Sequence, residues 1–274
     1  MRFYKKCINP LITPNMPTTL PVLINTRPIH RGDVIRQMVG VTVVDLPLLE
    51  IRSLPIADDA RVMMAQFCQG GYDALVITSV ESARRALDYL HTHQVAMPIH
   101  LPNTPIIAVG TATAQVMQVH GFDVILPQTT NNEGMLSLPQ IASLTAHDRV
   151  LIWRGVGGRR LLHDTLVAKG VHIDAIEWYE RTTPSDLYDN FSAILPTLPT
   201  MPSHAHVIIS SEMAYQAWAS LPHAGTSYHY LALGKRLARI IRTHEPSAII
   251  STIDDLSVQA IGRAIHTKPS AIIA

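Results

Sequence analysis

Short apolar runs of strand length recur along this chain, each ending in a hydroxyl, a glycine or a cation and followed by a helical pattern. Several of these units occur twice. Ala108-Val-Gly-Thr-Ala-Thr-Ala114 is echoed by Ala232-Leu-Gly-Lys-Arg-Leu-Ala238, Ile77-Thr-Ser79 by Ile209-Ser-Ser211, and Val22-Leu-Ile-Asn-Thr-Arg27 by Val150-Leu-Ile-Trp-Arg154. Alternating strand and helix signals specify a parallel α/β architecture, and crossovers of this length are right-handed. In open sheets of this kind ligands bind at the carboxyl edge. Two such sheets with facing edges would make a cleft lined with helix N-termini, which suits a large anion. The expected fold class is therefore α/β: two parallel-sheet domains related by internal duplication, with the site in the cleft between them.

Candidate strands span 22–26, 42–46, 74–78, 106–109, 124–126, 150–153, 171–176, 207–209, 231–233 and 248–250. Helical patterns fall between them, for example over 80–90, 111–120, 159–169 and 235–243, where Leu237, Ile240 and Ile241 form one apolar stripe. Two segments break the rhythm. Residues 40–50 and 170–180 align with each other, exceed the length of one small strand, and are soon followed by Pro55 and Pro184. They read as two bridges, a two-stranded β-ladder joining the domains. The chain then leaves a first domain near residue 46, builds a second over 47–181 with the ladder at its edges, and returns. Domain one is discontinuous, combining 20–46 with 182–268. Residues 1–20, with Pro10, Pro14 and Pro17, read as a flexible N-terminal extension.

Composition narrows the function classes. With 47% hydrophobic and 16% charged residues, 274 residues are enough for two packed cores. A net charge of +1 argues against a nucleic-acid binder. Cations nevertheless gather at the expected strand ends and helix starts: Arg27, Arg154, Arg159, Arg160, Lys235 and Arg236. Two cysteines, Cys7 and Cys68, fit a reducing cytoplasm. No apolar run reaches the ~18 residues of a membrane span, so no membrane role is expected. His91-Thr-His93 and His204-Ala-His206 have metal-binding residue types, but they read as surface or loop histidines, and no metal is assigned.

Several turns carry possible chemistry. Gly155-Val-Gly-Gly-Arg-Arg160 follows a strand and opens a helix, yet a dinucleotide fingerprint would need glycine where Arg160 stands. It reads either as a tight turn or as an anion site built from backbone N–H groups. Thr78, Ser79, Ser210 and Ser211 precede helices, where hydroxyls are ordinary N-caps. Their matching places in both halves make them candidates to line a site. Gly110, Thr111 and Thr113 occupy the turn after Val109, where free helix N–H groups are available. Tyr179 ends one bridge, placed either for packing or for chemistry at the cleft.

In this order the pieces resemble the uroporphyrinogen-III synthase family over about residues 20–268. The resemblance rests on Thr26-Arg-Pro28, Ile77-Thr-Ser79, Val109-Gly-Thr-Ala-Thr-Ala114, the strand into Arg154-Gly155, the span from Gly170 to Tyr179, Ile209-Ser-Ser211 and Ala232-Leu-Gly234. It implies cyclisation of hydroxymethylbilane, a linear polycarboxylate tetrapyrrole, with inversion of ring D, and no cofactor or metal. It also implies Tyr179 as proton donor, since a phenol is ordinarily protonated at neutral pH. Substrate binding would fall to Arg27, Thr78, Ser79, Gly110, Thr111, Thr113, Arg154, Gly155, Ser210, Ser211 and Gly234. The family commonly carries hydroxyl residues after the glycine of the second echo. Here Lys235 and Arg236 stand there, as replacement carboxylate partners. A cytoplasmic monomer that takes its substrate from the preceding bilane-forming enzyme is expected. The alternative from another class is a two-domain small-anion binding or sensor protein without catalysis; a nucleotide-dependent oxidoreductase is disfavoured by the incomplete glycine fingerprint.

Overall fold

The computed structural model describes residues 20–29, 32–95, 101, 103–158, 160–199, 204–223 and 227–266. Residues 1–19 of the expected extension, with Cys7, lie outside the described residues, as do Arg159 and the last two residues of the expected first domain, 267 and 268.

The chain opens with β1 (Val22–Asn25), α1 (Asp33–Arg36) and β2 (Thr42–Asp45). It continues through β3 (Glu50–Ser53), α2 (Asp58–Cys68), β4 (Ala74–Ile77), α3 (Val80–Thr92), β5 (Ile106–Ala108), α4 (Thr111–Gln118) and β6 (Val124–Ile125). Next come α5 (Asn132–Leu136), α6 (Pro139–Ala142), β7 (Arg149–Gly155), α7 (Leu161–Ala168) and β8 (His172–Thr182). The last stretch is α8 (Leu187–Ile194), β9 (Ala205–Ile209), α9 (Glu212–Ala219), β10 (His229–Leu233), α10 (Lys235–His244), β11 (Ile249–Ile253) and α11 (Val258–His266). The chain divides into two compact units: Met1–Leu49 with Thr183–Ala274, and Glu50–Thr182.

The first unit holds one parallel sheet in the order β11-β10-β9-β1-β2. Counted along that unit's own strands the order is 2-1-3-4-5, a doubly wound sheet whose ligand crevice lies where the connections leave in opposite directions, between β1 and β9. The second unit holds the order β3-β8-β7-β4-β5-β6, parallel except for the antiparallel pairing of β3 with β8. From β4 the chain winds one way to β5 and β6, and from β7 the other way to β8, so this sheet's crevice lies between β4 and β7.

Helices cover both faces of each sheet, which is why the central strands are continuous apolar runs rather than alternating ones. In the second unit one face packs Phe67, Leu75, Ile77, Leu87, Trp153, Ile176 and Trp178 together, and the other packs Val76, Ile107, Ile141, Ile152 and Leu166. In the first, Ile24, Phe191, Val207, Trp218 and Tyr230 fill one face and Leu23, Ile35, Ile208 and Ile261 the other. Each such side chain contributes about 1.5–3 kcal/mol on full burial.

Two expectations need correction. Residues 40–50 are not one long bridge. The path breaks at Leu46-Pro47-Leu48, whose leucines are buried in the first unit's core, and proline does not continue a ladder. The antiparallel pairing instead joins Glu50–Ser53 to Tyr179–Thr182. His206 is not a loop histidine either. Strand β9 starts at Ala205, and His206 is buried within it, 3.0 Å from His229 between their Nδ1 atoms.

Candidate active site

A break in the pairing of β7 with β8 sets the position of Tyr179. Register runs evenly to Arg154↔Glu177, then jumps to Gly155↔Tyr179, so Trp178 is the extra residue. Strict alternation would send Trp178 and Tyr179 to opposite faces. The bulge lets both join the same core, Trp178 edge-on to Trp153 at 6.1 Å. Bulges commonly re-aim a side chain beside a site. Rather than hanging freely from a bridge, Tyr179 is only 3% exposed. Its ring lies over Gly155, where an added Cβ would come within 2.5 Å of Cζ.

The Tyr179 hydroxyl donates to Ser79 Oγ at 3.1 Å and accepts from Arg181 Nη2 at 3.4 Å. Ser79 is the N-cap of α3, accepting the Ser82 amide at 3.1 Å, a cap worth about 1 kcal/mol. Ser82, fully buried, adds a second link, with the two Oγ atoms 2.7 Å apart. Thr78 Oγ1 donates across the crevice to the carbonyl of Trp153 at 3.2 Å. The phenol thus meets the N-terminus of a thirteen-residue helix at the strand-order reversal between β4 and β7.

A pocket of about 190 Å³ opens there. Thr78, Ser79, Arg154, Gly155 and Tyr179 line it, together with Asn132, His163, Arg181 and the loop Val156–Gly158. Arg154 holds that loop: its Nε donates to the Gly155 carbonyl at 3.2 Å and its Nη2 to the Gly157 carbonyl, with Glu177 3.5 Å away. Gly157 and Gly158 both have positive φ, at 76° and 87°, which turns the chain sharply toward α7. Gly110, Thr111 and Thr113 are not part of this wall. Thr113 is buried and Thr111 exposed.

The remaining candidates belong to the first unit's sheet edge. Ser211 caps α9 as Ser79 caps α3, accepting the Ala214 amide at 3.1 Å, and Ser210 precedes it, half-buried. Arg27 follows β1, its amide 3.4 Å from the Asn25 side-chain oxygen. Gly234 caps α10 with φ 80° and ψ 155°, a conformation essentially confined to glycine. Gly110, its echo, is extended at φ −167°. Lys235 and Arg236 are exposed on the first turn of α10, with Arg236 Nη2 2.7 Å from Glu212 Oε2.

Sequence reasoning missed Ser82, Asn132, His163 and Arg181. Ser82 reads as an ordinary polar residue in a helix, and only the hydroxyl pair Ser79/Ser82 at N-cap and third position could have marked it. Arg181 follows Tyr179 by two residues on the same strand, a spacing that shares a face. Among the described residues no group of three His, Cys, Asp or Glu side chains is placed to hold a metal ion, and no helix is long and apolar enough to cross a membrane.

The sequence model described as uroporphyrinogen-III synthase HemD matches residues 35–255. Uroporphyrinogen-III synthase of Escherichia coli is 29% identical over 234 residues, covering 80% of this chain and 90% of the relative. That of Salmonella typhimurium is 32% identical over 142 residues, 49% of this chain and 56% of the relative. Among solved structures, a mutant uroporphyrinogen III synthase from Thermus thermophilus aligns over 90% of this chain and all of its own, with TM-score 0.63 and 14% identity. The uroporphyrinogen-III synthetase of Helicobacter pylori aligns over 88% and 96%, with TM-score 0.53 and 17% identity. At such identities the structural likeness speaks for the α/β fold. The alternative of a non-catalytic anion-binding protein finds no support in these relatives.

Proposed function

The chain belongs to the uroporphyrinogen-III synthase family, and from that premise we propose that it closes hydroxymethylbilane to uroporphyrinogen III, inverting ring D, with Tyr179 as the proton donor. The observation that carries the reading is the Tyr179 hydroxyl, turned by the β8 bulge into a pocket at the strand-order reversal, beside a helix N-terminus and two arginines.

The first step needs little from the protein. The bilane's terminal hydroxyl leaves as water once a proton reaches its oxygen, so one positioned donor suffices. The Tyr179 O–H bond breaks as the C–O bond breaks, leaving an azafulvene-like cation on ring A. Ring D attacks it through its substituted carbon, and the spiro intermediate fragments and recombines in the inverted sense. The proton released when the last pyrrole regains aromaticity restores Tyr179, and the net reaction gives the macrocycle with release of one water. The larger share of the catalysis is positional, holding the chain so that ring D closes correctly.

Substrate carboxylates would be held by hydroxyls, backbone N–H groups and a few cations at sheet carboxyl edges. In the second unit these are Thr78, Ser79, Gly110, Thr111, Thr113, Arg154 and Gly155; in the first, Arg27, Ser210, Ser211, Gly234, Lys235 and Arg236. We read the two units as an internal duplication. Matching β1, β2, β9, β10 and β11 with β7, β8, β4, β5 and β6 makes the two sheet orders coincide, which supports that duplication. The same reading takes the chain as a cytoplasmic monomer supplied by the enzyme that builds the bilane.

Incubation with enzymatically generated hydroxymethylbilane, followed by separation of product isomers, tests this. The type III isomer should form, and Tyr179→Phe should lower its rate by about tenfold or more. An unchanged rate in a folded Phe variant would return Tyr179 to packing.

A further inference from the structure

Ser82 does not itself line the pocket, yet it ends the hydrogen-bond chain that starts at Tyr179. A guanidinium only donates, so the Tyr179 oxygen accepts from Arg181 and donates its O–H in a hydrogen bond to Ser79 Oγ. Ser79 Oγ thus accepts from both Tyr179 and the Ser82 amide at 3.1 Å, so its own O–H donates to Ser82 Oγ at 2.7 Å. Ser82 in turn donates to the Ser79 carbonyl at 3.0 Å. The matching cap in the first unit does without this last hydroxyl: Ser211 accepts from Ala214, which has none. Capping therefore does not explain Ser82.

We infer that Ser82 is a positioning residue for proton transfer, its hydroxyl turning from the Ser79 carbonyl to the Ser79 hydroxyl as Tyr179 gives up its proton. This rests on the reading of Tyr179 as donor. When the phenol O–H bond breaks and the proton joins the departing hydroxyl, the phenolate needs donors. Arg181 is one. Ser79 becomes the second by rotating its O–H toward the phenolate, and Ser82 fills the acceptor position thus left on Ser79. Hydrogen bonds to an ionised oxygen are roughly twice as strong as neutral ones. No heavy atom has to move, because Ser82 Oγ is already within bonding distance of both Ser79 oxygens. The Ser79 carbonyl keeps the Ala83 amide at 3.1 Å when Ser82 turns away.

The test measures type III formation and the denaturation midpoint for wild type, Ser82→Ala, Ser82→Thr, Tyr179→Phe and the double variant Ser82→Ala/Tyr179→Phe. Ser82→Ala should lower kcat about three- to tenfold, the worth of one hydrogen bond in the transition state, with KM and midpoint near wild type. Ser82→Thr should restore most of the loss, and Ser82→Ala should add nothing in the Tyr179→Phe background. An equal loss in both backgrounds, a change confined to KM, or no loss at all overturns the role of Ser82 alone. A fully active Tyr179→Phe overturns the donor reading and the inference with it. Should the alanine variant not fold, Ser82→Cys, with a weak donor of similar size, replaces it: kcat below that of Ser82→Thr supports the inference, and equal kcat overturns it.

Discussion

The ring of Tyr179 rests on the bare Cα of Gly155: a Cβ there would lie 2.5 Å from Cζ and 2.7 and 2.8 Å from the two Cε atoms. These two residues face each other only because the bulge at Trp178 shifts the register of β8 by one. The contact is what brings the phenol oxygen to Ser79 and the pocket.

Gly155→Ala should therefore displace the ring and its hydroxyl. Overpacking of this kind typically costs ~1–3 kcal/mol, and a misplaced catalytic group costs on the order of 10- to 100-fold in rate. Denaturant unfolding and type III formation check the two parts. Gly110→Ala, where the nearest atom to a new Cβ is Thr130 Cγ2 at 3.4 Å, should be far milder on the unfolding midpoint. Equal effects of the two substitutions on that midpoint would contradict the account.

The buried histidines predict an acid limb of stability. His206 and His229 lie in direct register on β9 and β10, and His229 Nε2 is 2.8 Å from Ser251 Oγ. Burial pushes both down to about 4, helped for His206 by the neighbouring His229, His204 and His266. The unfolded chain takes up these protons near the ordinary value of about 6.5, the folded one only near 4. The unfolded state thus binds more protons between those values, and stability rises with pH there. Stability from this pair is complete above about pH 6.5, falls as pH drops toward 4, and levels off below. Denaturant midpoints measured from pH 8 to pH 3.5 check this; His206→Gln with His229→Gln should flatten that limb, and an unchanged slope would assign it elsewhere.

At the second echo, Arg236 is engaged by Glu212 in an exposed pair. Such pairs contribute little to stability, which leaves the guanidinium free to exchange partners. Lys235→Ala with Arg236→Ala should raise KM and flatten its dependence on salt, leaving kcat and the unfolding midpoint nearly intact. A KM equal to wild type at low salt would make both residues ordinary surface cations.

The strands were legible because both faces of each sheet are covered. Runs such as Ala74–Ile77 and Leu23–Ile24 are then apolar throughout, and their ends fall at hydroxyls and glycines that the chain repeats. The bulge was not legible: Trp178 and Tyr179 share a face against the two-residue period, and no residue type announces that. His206 was misplaced because a proline-rich approach resembles a loop, whereas the strand begins two residues before its apolar run. Gly110 and Gly234 look equivalent in sequence, but only Gly234, at φ 80°, has a backbone that requires glycine. Ser82 was invisible for a different reason, since its meaning lies in a hydrogen-bond chain that reaches Tyr179 through Ser79, in another element far along the chain.

The central claim is tested most directly by the isomer composition of the product as protein is added to freshly generated hydroxymethylbilane, without added metal or cofactor. The account predicts that the type III share rises with protein concentration toward completeness while spontaneous type I product disappears, and that an equal amount of folded Tyr179→Phe shifts the balance far less. Type I product alone, formed at the uncatalysed rate at every protein concentration, would contradict it.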